Sequence, residues 1–229
     1  MIPFFGSPEL MGFGAEIIYS FIIILCSLMV YFGTKELYEL SSYKGIKYFR
    51  QAFLFFALAY FFRSFIKFIM IYFQVDRIID FSPKAFGPFT LFIFIYFSTI
   101  AVFYLIYSAI WKIWNKHPNT IYIFHFLAFV MSLAILLAKS PFVYLIINAA
   151  LFVFILFLIG YLMYKTEKSK MKKSNLYVVY LLLFVFWLLN VIDILIPKFL
   201  QTFQLLIYLV STGIFLLILY RVIKKTGSK

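Results

Sequence analysis

Long apolar runs separated by short polar segments make up most of this sequence. Seven runs hold about 20 mostly apolar residues, the length that an α-helix needs to cross a bilayer. Transmembrane β-strands would be about 10 residues long with alternating polarity, and these runs are apolar throughout. The pattern therefore predicts an all-α integral membrane protein, a seven-transmembrane-helix bundle. The predicted spans are residues 14–33, 51–72, 87–110, 120–138, 141–164, 176–196 and 199–222.

Prolines and turn residues agree with these boundaries. Each of the seven Pro residues lies at the end of a predicted span or outside the spans, as expected because Pro fits the first helical turn and breaks what precedes it. Thr34 is placed to cap a short interfacial helix over 35–40, and 75–81 is a second candidate for such a helix. The tight turn at 139–141 predicts that spans four and five are antiparallel neighbours. No loop is long enough to bury a core, so we predict one domain over 1–229.

Composition and charge give the location and the orientation. The chain is 66% hydrophobic and 13% charged, against about 45–50% and 25% in soluble domains. With the N-terminus outside, 15 Lys and Arg residues fall in inner segments and 4 in outer segments. The positive-inside rule thus predicts a multi-pass cell-membrane protein with its N-terminus outside and its C-terminus in the cytoplasm. Most of the +13 net charge then faces anionic lipid headgroups of the bilayer, so it does not indicate a nucleic-acid partner.

Ionisable and amide side chains inside the spans are the candidates for function, because such groups are costly in a membrane. Span two carries several at helical spacing on one face, and span six carries others near its outer end. All of them lie at similar depth in the predicted outer half of the bundle. The candidate ligand-binding residues are Arg63, Lys67, Asn190, Asp193, Glu16, Tyr60 and Asn148.

Two positive and two negative groups at one depth predict mutual pairing. The simplest pairs are Arg63 with Asp193 and Lys67 with Glu16. One interpretation is a structural staple that fixes helix register while adding little net stability. The other interpretation is a polar ligand or ion site that opens outward.

The other intramembrane polar residues carry weaker signals. Ser98 and Thr99 are expected to assist helix packing or to bond back to their own helix. Gln204 lies at the outer end of span seven, where it is placed to rim a cavity. His125 is expected to be a packed, hydrogen-bonded residue.

Metal, cofactor and enzyme signatures are missing from the sequence. Two His and one Cys leave few ligands for zinc, iron–sulfur or haem sites, so we predict no cofactor. No helical metalloprotease motif, nucleophile triad or glycine-rich phosphate loop is present, and we predict that the chain is not an enzyme. Span seven lacks the mid-span Lys that retinal proteins need, and 110–112 reads Ile-Trp-Lys where G-protein-coupled receptors have an acidic–Arg–Tyr triplet.

An internal repeat is a further hypothesis. Shifting the segment from Pro83 onto that from Pro197 gives seven identities over 24 residues. This favours a parallel 3+1+3 plan with span four as linker, and such repeats occur in transporters. The alternative is seven helices without useful symmetry.

One segment resembles known sequences. Residues 43–57, Tyr-Lys-Gly-Ile-Lys-Tyr-Phe-Arg-Gln-Ala-Phe-Leu-Phe-Phe-Ala, join spans one and two. The segment resembles the first inner loop of uncharacterised seven-helix membrane proteins of archaeal type. It is also similar to the membrane sensor portions of some seven-helix histidine kinases, which implies a sensor whose output passes through a separate partner.

These observations favour a receptor- or sensor-like membrane protein. We expect it to bind a small ligand or lipid in the outer half of the bundle and to signal through its basic inner loops to another membrane or cytoplasmic protein. The alternatives are a small-solute transporter on the 3+1+3 plan and a non-catalytic subunit of a membrane complex. The presence, position and lining of a cavity distinguish the three.

Overall fold

The structure, a computed structural model, is entirely helical in the part that it describes. That part comprises residues 10–72, 83–114, 119–138, 140–168, 176–195 and 201–227, and it contains no strand. The predicted all-α class is therefore confirmed. The helices are α1 (Leu10–Gly33), α2 (Lys35–Ser41), α3 (Lys44–Tyr72), α4 (Pro83–Trp114), α5 (Thr120–Ala138), α6 (Pro141–Lys168), α7 (Leu176–Leu195) and α8 (Gln201–Gly227).

Within the residues that the structure describes, five helical stretches are long and apolar enough to cross a membrane, so the chain is a membrane protein. In α6 and α7 the described apolar stretches are shorter, Phe142–Phe157 and Val178–Asp193. The count of seven spans and the single domain over 1–229 thus stay predictions. The five longer stretches are Gly14–Ser41, Lys44–Ile66, Pro88–Trp111, Thr120–Ala138 and Phe203–Lys224.

The short helix after span one is present, but Thr34 does not cap it. The Thr34 hydroxyl donates instead to the Val30 carbonyl at 2.7 Å, one turn back in α1. Thr34 is 2% exposed, and its backbone N–H donates to the same Val30 carbonyl at 3.1 Å. The Thr34 hydroxyl is therefore bonded to the end of α1. The sequence had predicted that it would cap the start of α2.

The third predicted span, 87–110, agrees with the apolar stretch Pro88–Trp111 but belongs to a longer helix. Helix α4 begins at Pro83, so Pro88 lies inside it. Both prolines occupy the first two turns of a long helix, where missing backbone donors remove few bonds. The short helix predicted over 75–81 lies outside the described residues.

The helices pack in a series that follows the chain only in part. Helix α3 packs most extensively on α4 and also on α1, while α1 continues to α8 and α8 to α7. Helix α5 also packs on α4. Helix α6 makes only slight contact with α4, α5 and α7. The predicted proximity of α5 and α6 is thus confirmed, and the polar residues of spans one, two, six and seven share one side of the bundle.

A cluster of buried aromatic rings joins α3, α7 and α8. Phe186 meets Phe215 edge-on with ring centroids 4.7 Å apart, and Phe53 and Phe56 complete the cluster at 5.9 Å from Phe215 and Phe186 respectively. All four rings are at most 2% exposed. Edge-to-face pairs of this kind add about 0.5–1.5 kcal/mol beyond the area they bury. The cluster forms the apolar floor beneath the polar residues of these helices.

Two contacts fix the start of α3, in the segment that resembles archaeal membrane proteins. A Cβ at Gly45 would lie 3.0 Å from the Ser108 carbonyl oxygen and 2.9 Å from a ring carbon of Trp111, so only glycine allows this approach to α4. Nearby, the Arg50 Nε donates to the Tyr31 carbonyl at 2.9 Å. That cation satisfies a carbonyl near the end of α1, where the helix dipole favours positive charge.

We expect Gly45→Ala to lower the free energy of unfolding by about 1–3 kcal/mol, because the added methyl group meets backbone and a large ring. Thermal unfolding of the purified protein in detergent measures the change. Gly213→Ala is the matched control: Gly213 lies in α8 with no atom near the position of a Cβ, and Ala there should stabilise by about 0.5–1 kcal/mol. Equal unfolding temperatures for the two variants would contradict the tight contact.

Candidate functional site

The centre of the site is an ion triad in which one guanidinium holds two carboxylates. Arg63 on α3 donates from Nε to Glu16 Oε1 on α1 at 2.7 Å, and from Nη2 to Asp193 Oδ2 on α7 at 3.2 Å. The side chains are 11%, 13% and 1% exposed for Arg63, Glu16 and Asp193. Glu16 is near the start of α1 and Asp193 is near the end of α7. The triad therefore lies toward the end of the bundle at which α1 begins.

The triad extends to two further helices. Gln204 on α8 donates from Nε2 to Asp193 Oδ1 at 2.9 Å and lies 3.0 Å from the Tyr208 hydroxyl. The Arg63 guanidinium carbon is 5.0 Å from the centre of the Phe94 ring on α4, a cation–π distance. Arg63 Nη1 is buried and has no hydrogen-bond partner among the described residues. A single cation thus contacts or bridges five helices.

A neutral hydrogen-bond network lies one layer deeper. Asn190 Oδ1 on α7 accepts from the Tyr19 hydroxyl on α1 at 3.0 Å and from the Tyr60 hydroxyl on α3. The Asn190 amide donates to the carbonyl of Phe186 in its own helix at 2.8 Å. Tyr19 also stacks on Tyr208 with centroids 4.5 Å apart. These polar atoms are therefore satisfied by one another in an apolar setting, as burial requires.

A small cavity adjoins this network between α3, α4, α6 and α7. Its volume of about 20 Å³ accommodates a single water molecule, whereas pockets for drug-sized ligands measure about 300–1,000 Å³. None of the described residues that line it is charged. Its polar lining residues are Tyr60, Ser98, Thr99, Tyr144, Asn148, Trp187 and Asn190.

The structure brings most of the predicted site residues together. Tyr60, Asn148 and Asn190 line the cavity, while the predicted pair of Arg63 with Asp193 is confirmed as part of the triad. The side chains of Glu16, Arg63 and Asp193 form the ion triad next to that cavity, and a role of any of these residues in ligand binding stays a prediction.

Glu16 pairs with Arg63, where the sequence predicted Lys67. The side chain of Lys67 lies outside the described residues. A guanidinium carries five N–H donors in a fixed fork, so it can serve two carboxylates at once, which an ammonium group does less well. The geometry of the fork accounts for the shared pairing.

Comparison with known proteins shows that this chain is similar in sequence to an archaeal protein. It is 34% identical over 220 residues to an uncharacterized protein of Archaeoglobus fulgidus, and the match covers 95% of both chains. This chain belongs to the same family. The predicted resemblance to an uncharacterised archaeal protein is thereby confirmed, whereas the likeness to histidine-kinase sensor portions has no support among the comparisons. No family model matches the chain. No solved structure matches it.

Sequence reasoning missed two residues of the site. Tyr19 and Tyr144 were not singled out, although a buried Tyr usually finds a hydrogen-bond partner. With 18 Tyr residues in the chain, that signal alone could not select them. Ser98 donates to the Ile95 carbonyl at 3.1 Å, as predicted, and it also lines the cavity. The Gln204 amide donates to Asp193, and its expected place at the rim of a cavity stays a prediction.

His125 occupies a separate polar cluster on α4 and α5. Its Nδ1 lies 2.9 Å from the Tyr96 hydroxyl, and its Nε2 lies 3.1 Å from the Tyr104 hydroxyl. The prediction of a packed, hydrogen-bonded histidine is confirmed.

Within the described part of the chain, no group of three or more His, Cys, Asp or Glu side chains is placed to hold a metal ion.

We expect Arg63→Leu to destabilise the protein by about 3–5 kcal/mol, because it leaves buried carboxylates without their cation. Thermal unfolding in detergent measures the loss. The control is Arg221→Leu, since Arg221 is exposed on α8. Adding Glu16→Gln and Asp193→Leu to Arg63→Leu should recover part of the stability. A triple variant no more stable than Arg63→Leu alone would contradict the triad as the cause.

Proposed function

We propose that this chain is a receptor- or sensor-like membrane protein whose cavity binds a small, uncharged polar ligand. The supporting observation is that the cavity shares Tyr60 and Asn190 with the network that links α1, α3 and α7. A ligand in the cavity competes directly for hydrogen bonds that hold these helices together. Binding and a change in helix packing are thereby coupled through the same side chains.

The chemistry of the cavity favours an uncharged ligand. Its polar lining consists of hydroxyl, amide and indole groups, which can both donate and accept hydrogen bonds. The nearby charges are already paired in the triad. A charged ligand would have to break that pairing in a medium of low dielectric constant, whereas a neutral one replaces one set of hydrogen bonds by another.

The coupling needs two packings of different ligand affinity. A ligand shifts an equilibrium between conformations only by its difference in affinity for them. Hydrogen bonds from Tyr19 and Tyr60 to Asn190 exist in the packing seen here. A ligand that takes over the Asn190 carbonyl favours a packing in which the two tyrosines are released. We propose that the change reaches a separate partner through the basic segments at the opposite end of α3.

The proposed topology has seven spans, with the N-terminus outside and the C-terminus in the cytoplasm. Helices α6 and α7 contain 28 and 20 residues. At 1.5 Å per residue, 20 residues extend about 30 Å, which matches the hydrocarbon core. Full helix length therefore supports two further spans beyond the five apolar stretches. The distribution of Lys and Arg supports the orientation.

We expect a fluorescent protein fused after Lys229 to fluoresce in cells and alkaline phosphatase at the same place to be inactive, because the C-terminus is proposed to be cytoplasmic. A phosphatase fusion truncated in the 139–141 turn should be active. Accessibility of an N-terminal tag to antibody on intact cells is the control. An active phosphatase after Lys229 would exclude the proposed topology.

We expect Ser98→Leu to abolish stabilisation of the purified protein by small neutral solutes, because the larger side chain fills the cavity that Ser98 lines. The measurement is a thermal-shift screen of alcohols, amides and polyols. Ser64→Leu is the matched control, since Ser64 also bonds back to its own helix at 2.8 Å but is outside the cavity lining. Solutes that stabilise both variants equally would place their binding elsewhere.

A small-solute transporter is the second candidate, because the cavity draws on both halves of the proposed 3+1+3 plan. Helices α3 and α4 belong to the first three spans, and α6 and α7 belong to the last three. Flux of a stabilising solute into proteoliposomes distinguishes the two functions. Protein-dependent flux that Ser98→Leu stops would favour transport, while binding without flux would favour sensing.

A further inference from the structure

We propose that α6 is a movable wall of the cavity, and that the ligand is a single-chain amphiphile with an uncharged hydrogen-bonding head group that enters sideways from the bilayer. This inference rests on the proposed function and names the class and the route of its ligand. It follows from how α6 is held, from the size of the cavity and from the chemistry of its lining.

Among the side chains of α6 that the structure describes, the buried ones form one narrow stripe. Its buried side chains are Tyr144, Asn148, Leu151 and Ile155, spaced three and four residues apart. The side chains beside the stripe are open to the surroundings, and Phe157 is 73% exposed. In α4, by contrast, every residue from 99 to 108 is buried. One row of contacts thus attaches α6 to the bundle.

The attachment of α6 is also apolar. Among the described side chains, no hydrogen bond or ion pair joins α6 to another helix, and the Asn148 amide donates to the Tyr144 carbonyl of its own helix at 2.8 Å. The described contacts of α6 with other helices are between apolar side chains. One example is Phe152 against Phe184 on α7, with ring centroids 4.9 Å apart. Lipid tails are as apolar as such side chains, so lipid can replace these contacts at little cost.

The other walls of the cavity are held differently. The ion triad and Asn190 tie α1, α3, α7 and α8 together, and His125 ties α5 to α4 through two tyrosines. Displacing any of these helices breaks buried polar contacts. In a membrane, such groups have no water to replace a lost partner. Among the helices that line the cavity, α6 is therefore the one whose displacement costs the least free energy.

Outward movement of α6 would give a head group the room that the present cavity lacks. The present cavity has room for about one water, and α6 supplies Tyr144 and Asn148 as its outer wall. Outward displacement widens the cavity and opens it toward the exposed apolar side chains of the same helix, such as Leu145 and Ile146. A head group then meets neutral polar side chains while its chain stays in contact with apolar ones. That division of contacts fits an amphiphile.

The charge of the head group follows from the triad. Two carboxylates, those of Glu16 and Asp193, lie beside the cavity and share the Arg63 guanidinium. An anionic head group would be placed near both, and a cationic one would compete with Arg63 for them. An uncharged head group, such as a glycerol or an amide, avoids both penalties.

The test uses a monoacylglycerol with a diazirine in its acyl chain, added to the full-length protein in phosphatidylcholine vesicles. In a Cys26→Ala background, Phe152→Cys with Phe184→Cys tethers α6 to α7 through a short, reducible thiol cross-linker. Phe92→Cys with Phe129→Cys is the matched control, because those rings join α4 and α5 at 5.7 Å. The tether is added after folding, so loss of the fold does not complicate the result.

We expect tethering of α6 to reduce photolabelling of the cavity helices by about tenfold, because it removes the open, binding-competent state. Reduction of the tether should restore labelling, and the α4–α5 tether should leave it unchanged. Labelling that is indifferent to the α6 tether, or that falls only on lipid-facing residues, would overturn the inference.

Free glycerol separates this inference from the function on which it rests. If glycerol stabilises the untethered and the tethered protein equally, and Ser98→Leu abolishes that effect, the ligand enters from water; the bilayer route is then wrong and the sensor proposal stands. If the lipid probe does not label the cavity and no solute distinguishes Ser98→Leu from Ser64→Leu, both proposals fail.

Discussion

The ionic contacts of Arg63 determine how the helices of this bundle can be arranged. Its partners, Glu16 and Asp193, come from helices far apart in the chain, and Gln204 adds a further helix through Asp193. Apolar contacts between helices distinguish poorly among registers in lipid, because lipid offers equivalent contacts. A buried cation without its carboxylates would be strongly unfavourable, so only registers that bring these residues together are allowed. The Asn190 network and the cavity both depend on that register.

The same principle divides the bundle into two parts with different mechanical properties. Helices α1, α3, α7 and α8 share charges and amide groups, and α5 is held to α4 by His125. Helix α6 has apolar packing alone among the described contacts. The cavity lies where these two parts meet: α3, α4 and α7 line it together with Tyr144 and Asn148 of α6.

The sequence predicted those features that follow from the length of an apolar run or from the depth of a residue in the membrane. It could not predict which of two chemically similar groups would form a given contact. Apolar run lengths predicted the helices, and equal depth predicted the pairing of Arg63 with Asp193. Depth could not rank Arg63 against Lys67 as the partner of Glu16, since the two bases lie one turn apart on one face. The Thr34 hydroxyl could have capped the start of α2 or bonded back to the end of α1, and in the structure it donates to the Val30 carbonyl of α1. The cavity was unpredictable in detail because Ser98 and Thr99 resemble ordinary packing residues until the neighbouring helices are placed.

The close approach at Gly45 has a mechanical consequence for α3. Gly45 and Arg63 are 18 residues apart, which is about 27 Å along a helix. One end of this rod is confined by steric contact with α4, and the other is confined by ionic contacts with α1 and α7. A rod confined at both ends resists sliding along its own axis. Any signal that α3 carries across the membrane would therefore be a rotation or a bend, and a piston-like displacement is disfavoured.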